Sequence, residues 1–260
     1  MTVHHLNCAT MRPRLAPSMV AHVLLVERAE GLLLVDTGFG TDDLADPLRL
    51  GRPFVSVVRP RLAHDETALA QVRRLGHDPA DVTDIVVTHL DLDHAGGLGD
   101  FPGARVHVHR VEHEAATRPR LRERARYLSG QWAHDPAWVL HDEPGDDWFG
   151  FSSVTALGDD VVLVPLPGHT RGHSGVAVRR PDGHWLLHAG DAFFDGRQVA
   201  TTPTCNRSLA AFQVAMAVDN GRRRANLERL QELARSAGDE VTIFCAHDKA
   251  QYDALAARRS

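Results

Sequence analysis

Six consecutive residues, His89-Leu90-Asp91-Leu92-Asp93-His94, constrain this chain more than any other feature. They place two imidazoles and two carboxylates directly after the apolar run Ile85-Val86-Val87 and before Ala95-Gly96-Gly97. The apolar run predicts a buried strand, and the glycines predict a turn into a helix. The four polar side chains therefore fall on a loop at a strand end, where a rigid support can aim several groups at one point. Imidazole nitrogen and carboxylate oxygen suit zinc, iron or manganese. The loop predicts a metal site.

Three further segments repeat the arrangement. His169 lies in Pro167-Gly168-His169-Thr170-Arg171-Gly172-His173-Ser174, Asp191 in Gly190-Asp191, and His247 in Cys245-Ala246-His247-Asp248. Each follows an apolar run: Val161–Val164, Trp185–Leu187 and Val241–Phe244. Four strand ends thus deliver potential ligands to one edge. In this order and context the chain resembles the metallo-β-lactamase superfamily, whose usual loop reads His-x-His-x-Asp-His. The turn Val35-Asp36-Thr37-Gly38 is similar to that family's early hairpin, and the resemblance spans about residues 20–250.

The resemblance implies a four-layer αββα sandwich of the metallo-β-lactamase type and a pair of divalent metal ions. His89, Asp91 and His169 would hold the first ion. Asp93, His94 and His247 would hold the second, and Asp191 would bridge them; Asp93 and Asp191 are also the expected catalytic carboxylates. Zinc is the first expectation, with iron or manganese as alternatives. Two such ions activate water and polarise a carbonyl, so hydrolysis is the implied reaction. Asp36 is expected to orient a ligand histidine. Asp248 would do the same or cap the following helix. Cys245 reads as buried core.

Asp91 departs from the usual loop, which has histidine there. Counting carboxylates alone, it leaves a divalent pair one positive charge rather than two. That predicts weaker water activation and a preference for harder ions. The chain looks most similar to the lactonase-like branch, which points to a small ester, lactone or related carbonyl substrate. That branch often carries a tyrosine three residues after the bridging aspartate. Here Phe194 stands in its place and cannot donate a hydrogen bond, which counts against a homoserine lactone. The alternatives are a nonhaem iron redox protein of the same fold and a thioester hydrolase of the glyoxalase II kind.

Length and composition suit one domain over residues 1–260, with 43% hydrophobic and 24% charged residues giving enough apolar material for a sizeable core. A net charge of −5 and no basic stripe with aromatics argue against nucleic acid. The arginine run 118–126 reads as a solvated face of a helix over 111–128. No apolar stretch reaches the ~20 residues of a membrane span, no signal-peptide pattern is present, and three scattered cysteines make no disulfide framework. A cytoplasmic protein acting on a small molecule is expected; oligomeric state is not legible. Between 129 and 153 the periodicity breaks around three of the four tryptophans. This insertion is expected either to pack on itself or to wall a substrate pocket, with Trp132, Trp138 and Phe149 as the wall beside Phe194.

Overall fold

The computed structural model describes residues 1–142, 145–152 and 154–257. A seven-stranded sheet comprises β1 (Thr2–Met11), β2 (Met19–Arg28), β3 (Gly31–Val35), β4 (Pro60–Arg61), β5 (Val82–Val86), β6 (Arg105–His109) and β7 (Ala137–His141), ordered β4-β1-β2-β3-β5-β6-β7. A hairpin of β8 (Asp147–Trp148) and β9 (Phe151–Ser152) leads to a five-stranded sheet. That sheet runs in sequence order through β10 (Val154–Leu157), β11 (Val161–Pro165), β12 (Ser174–Arg179), β13 (Trp185–His188) and β14 (Val241–Phe244). The helices are α1 (Thr41–Ala45), α2 (Arg52–Val58), α3 (Ala68–Arg74), α4 (Arg110–Thr117), α5 (Arg207–Met216), α6 (Asn220–Ser236) and α7 (Lys249–Ala256).

The two-residue period of a strand explains the layering. Leu24, Val26, Leu33 and Val35 point one way and meet Val161, Leu163, Val178 and Phe244 of the second sheet. Their neighbours Val23, Leu25, Leu32 and Leu34 point the other way, onto Ala68 and Val72 of α3 and Ala115 of α4. Val162, Val164 and Ile243 likewise cover Leu230 and Leu233 of α6. Both sheets are therefore buried on both faces, which is why their central strands are continuously apolar rather than alternating. The result is the expected αββα sandwich.

The sheets share an edge that collects chemistry. β3 pairs parallel with β5, and β13 parallel with β14. β11 and β13 both run antiparallel to β12, so they share a direction. The C-terminal ends of these strands carry Asp36, the 89–94 loop, the 167–173 loop, Asp191 and His247.

Three sequence expectations change. The helix over 111–128 ends at Thr117, because Arg118 precedes Pro119 and is driven out of the helical region. The 118–126 run is consequently a turn, not a helix face. The 129–153 segment is not a free loop. It forms β7, which pairs parallel with β6, and the β8–β9 hairpin, whose turn residues Phe149 and Gly150 both have positive φ as a type I′ turn requires.

Phe244 anchors the space between the sheets, fully buried with the His22 ring 4.6 Å from its own. Phe244→Ala should cost about 3–5 kcal/mol in equilibrium urea unfolding. A loss under about 1 kcal/mol would show that this space collapses around the deletion.

Candidate metal centre

The strand ends bring all seven proposed ligands together. Two groups form, sharing Asp191. In the first, His169 Nε2 lies 3.0 Å from Asp91 Oδ2 and 3.3 Å from Asp191 Oδ2. His89 Nε2 lies 3.5 Å and 3.8 Å from the same two oxygens. In the second, His247 Nε2 is 3.2 Å and His94 Nε2 3.4 Å from Asp191 Oδ1. Asp93 completes it, with Oδ2 3.7 Å from His247 and Oδ1 4.0 Å from His94. Three overlapping sets, His89–Asp91–His169, His89–His94–Asp191 and Asp93–His94–His247, each keep their ligand atoms within 4.8 Å of one another, against about 3.3–3.4 Å between ligands of a tetrahedral zinc.

Hydrogen bonds fix which nitrogens face inward. His247 Nδ1 donates to the Val20 carbonyl at 2.8 Å. His94 Nδ1 donates to Asp36 Oδ2 at 2.9 Å. Thr88 gives its hydroxyl hydrogen to Asp36 Oδ2 and accepts from His89 Nδ1 at 2.9 Å. In the neutral rings each Nε2 is therefore a bare lone pair aimed at carboxylates. His89 Nε2, His94 Nε2 and Asp191 Oδ1 are buried without a hydrogen-bond partner. Buried polar atoms are rarely left so. A cation between these groups satisfies all three, so the residues present fit a metal pair.

Other residues hold the ligands in place. Asp36, at φ 60°, accepts from the Thr88 amide at 2.7 Å as well as from His94. The close neighbour imidazole offsets the cost of burial and holds the Asp36 carboxyl below its ordinary range. His173 donates from Nδ1 to the Leu166 carbonyl and accepts the Asp191 amide at Nε2, 2.9 Å away, which orients the shared aspartate. A Cβ on Gly190, at φ 53°, would come within 2.5 Å of that same nitrogen, so only glycine fits. The fully buried Glu112 accepts from Leu90 N, Thr170 Oγ1 and Gly172 N, tying the two ligand loops together. Asp248 caps α7 through Ala250 and Gln251. Cys245 packs in the core beneath α6.

A family model for the metallo-beta-lactamase superfamily matches residues 18–247. The chain belongs to this superfamily. It is 46% identical over 255 residues to a "probable metallo-hydrolase" of Mycobacterium tuberculosis, covering 96% of this chain and 81% of that one. It is 30% identical to the N-acyl homoserine lactonase AttM of Azorhizobium caulinodans, over 86% of this chain and 80% of the relative. Among solved structures, an N-acyl homoserine lactone hydrolase with N-hexanoyl-L-homoserine at its catalytic metal centre superimposes with a TM-score of 0.74 at 21% identity, covering 97% of this chain and 95% of the other. The protein is a metallo-hydrolase with lactonase-like relatives.

Against the usual superfamily loop, the structure adds a residue that motif reading missed. Arg126 is 8% exposed and donates from Nε and Nη2 to the two oxygens of Asp91, each at 2.7 Å. Its Nη1 donates to the carbonyls of His169 and Met216 at 3.0 and 3.2 Å. Burial opposes the charge of Asp91, but the guanidinium holds its carboxyl well below the ordinary range. This corrects the charge argument for Asp91. A carboxylate with a bound guanidinium is a neutral unit, as a histidine is, so the charge argument for weaker water activation lapses, while the oxygen donor itself is unchanged. Arg126 was hidden because its arginine-rich neighbours read as a solvated face.

A cavity of about 250 Å³ opens over the centre, with Asp91, Asp93, His169, Asp191 and His247 in its wall. Met11, Met19, Phe54, Val57, Phe194 and Phe212 supply its apolar lining. Phe194 is there, edge-on to His247 at 5.0 Å between ring centroids. Trp132, Trp138 and Phe149 are not. Trp132 and Trp138 pack against the core under the first sheet, the latter edge-on to His113. Phe149 packs against Trp148 on the second sheet. Trp132 and Trp138 are partly buried against the first sheet's core and Phe149 against the second's, so none of the three lines this cavity.

The Asp36 network makes a direct claim about affinity. Asp36→Asn keeps the volume but weakens the bond that orients His94, and zinc affinity should fall about 10–100-fold. Isothermal titration of chelator-treated protein measures it, and unchanged affinity would remove Asp36 from the centre.

Proposed function

We propose that this metallo-hydrolase holds two divalent ions, zinc by preference, and hydrolyses a small ester or lactone carrying an apolar tail. The observation that carries the reading is the pair of four-ligand groups sharing Asp191 on the floor of an apolar cavity. His89, Asp91 and His169 would hold one ion and Asp93, His94 and His247 the other, with Asp191 between. Bound there, such ions supply a water-derived nucleophile at neutral pH and polarise the scissile carbonyl. The mixed nitrogen and oxygen donor set suits zinc.

The remaining work falls to side chains. Asp93, with 14% of its side chain exposed against 4% for Asp191, is the open carboxylate of the second group. It is the group placed to pass a proton to the departing oxygen. Phe194 and Phe212 exclude water from the floor, which strengthens every charge interaction there. Phe194 offers no hydrogen bond to a substrate carbonyl, so orientation falls to shape and to the centre itself.

The apolar tail is inferred from what adjoins the cavity. A cleft of about 620 Å³ shares Met19, Val57, Val58 and Phe212 with it and continues along Pro13, Leu15 and Ala211. Ligand sites are built this way, with apolar walls and few polar groups. The relatives named as N-acyl homoserine lactonases fit a lactone with an acyl chain. No helix among the described residues is long and apolar enough to cross a membrane.

Zinc-loaded protein assayed on lactones differing only in alkyl length tests this reading. Each methylene that enters the cleft should raise kcat/KM about three- to fourfold, the equivalent of ~0.8 kcal/mol. Phe212→Asp should abolish the trend, while Trp132→Phe leaves it intact. Activity on none of the lactones and esters, with two zinc ions bound, would overturn the substrate class.

A further inference from the structure

We propose that Arg126 makes the two metal positions unequal, so that the Asp93–His94–His247 position binds its ion tightly and the His89–Asp91–His169 position binds its ion weakly and exchangeably. The inference rests on the dinuclear reading above.

The geometry is one of competition. Arg126 Nη2 donates to Asp91 Oδ2 at 2.7 Å and lies 2.9 Å from His169 Nε2. These two atoms are the ones by which Asp91 and His169 enter the first group. A pyridine-type nitrogen has one lone pair, so an ion ligated by His169 must take it from the guanidinium. Asp91 Oδ2 keeps a second lone pair, but its charge is already shared with Nη2. Arg126 cannot retreat by losing its proton, because a guanidinium stays charged in proteins. Nor is it free to swing out: the carbonyls of His169 and Met216 hold Nη1, and the side chain is buried. Two positive charges therefore face each other at short range in a dry pocket, where screening is weak.

The second position has no such competitor. Among the described residues, no arginine or lysine is hydrogen-bonded or ion-paired to Asp93, His94 or His247. Its histidines are held from behind by Asp36 and the Val20 carbonyl, which leaves their lone pairs free.

Calorimetric titration of chelator-treated, full-length protein with zinc reads the difference. Wild type should show one tight event and a second at least about tenfold weaker, a gap of ~1.4 kcal/mol. His169→Ala should delete only the weak event, and His247→Ala the tight one. Arg126→Gln should bring the two affinities to within about threefold. Since a buried arginine can be needed for folding, the double substitution Asp91→His with Arg126→Gln serves as a second variant and should also equalise the sites. Two events of equal affinity in wild type overturn the inference without touching the dinuclear reading. So does an unchanged ratio in a folded variant lacking Arg126. Zinc bound by none of the proteins sinks the dinuclear reading itself.

Discussion

Three carboxylates, Asp91, Asp93 and Asp191, sit in one largely buried pocket among four imidazoles, and most of the architecture around this centre answers the cost of holding their charge there. Like charges in low dielectric are costly unless opposite charge lies between them. Four imidazoles supply lone pairs rather than charge, since Val20, Asp36 and Thr88 fix the hydrogens of three of them on the outer nitrogen. The centre is thus built with a deficit of positive charge, which divalent ions would fill. Part of the deficit is met by the chain itself, through Arg126 on Asp91.

That pair explains how a carboxylate can occupy a position where the superfamily usually has histidine. A lone aspartate there would add a third negative charge to the floor and would lack partners for its outer oxygen lone pairs. The bidentate fork supplies both, with matched planar geometry that lysine could not provide. Neither half stands alone. Removing one partner of a buried ion pair typically costs about 3–5 kcal/mol, because the other is left charged and unpaired. Asp91 and Arg126, 35 residues apart in the chain, are therefore one functional unit.

The cluster of ligand-type side chains was legible in the sequence and its support was not, for a physical reason. His89, Asp93, His94, Asp191 and His247 sit in short motifs at strand ends, where local pattern and chemistry coincide. Strand periodicity likewise exposed the layers, since Leu32–Val35 and Val161–Val164 are apolar at every position and had to be buried on both sides. Arg126, His173 and Glu112 act through contacts 15 to 60 residues away in the chain, and no local pattern distinguishes them. Arg126 even carried a misleading context, for the other arginines of its run, Arg118, Arg120, Arg122 and Arg124, are exposed while it alone among them turns inward. Thr2–Met11 was equally silent; its partly buried strand is set by its register with β2, from Thr2 opposite Glu27 to Met11 opposite Met19.

The misplaced pocket wall follows the same logic. Trp132 and Trp138 looked like pocket residues because no helix or strand period surrounded them, but Trp138 lies on a parallel edge strand whose register β6 supplies, and Trp132 in the turn just before it. The cavity over the centre is lined by Met11 and Met19 at one end of the first sheet, Phe54 and Val57 on α2, Phe194 after β13, and Phe212 on α5. These segments are short, separated and individually unremarkable. What unites them is that each lies at the rim where the C-terminal strand ends open. With helices covering the outer faces of both sheets, the rim where the strand ends open is where apolar side chains stay uncovered, and these line the cavity over the centre.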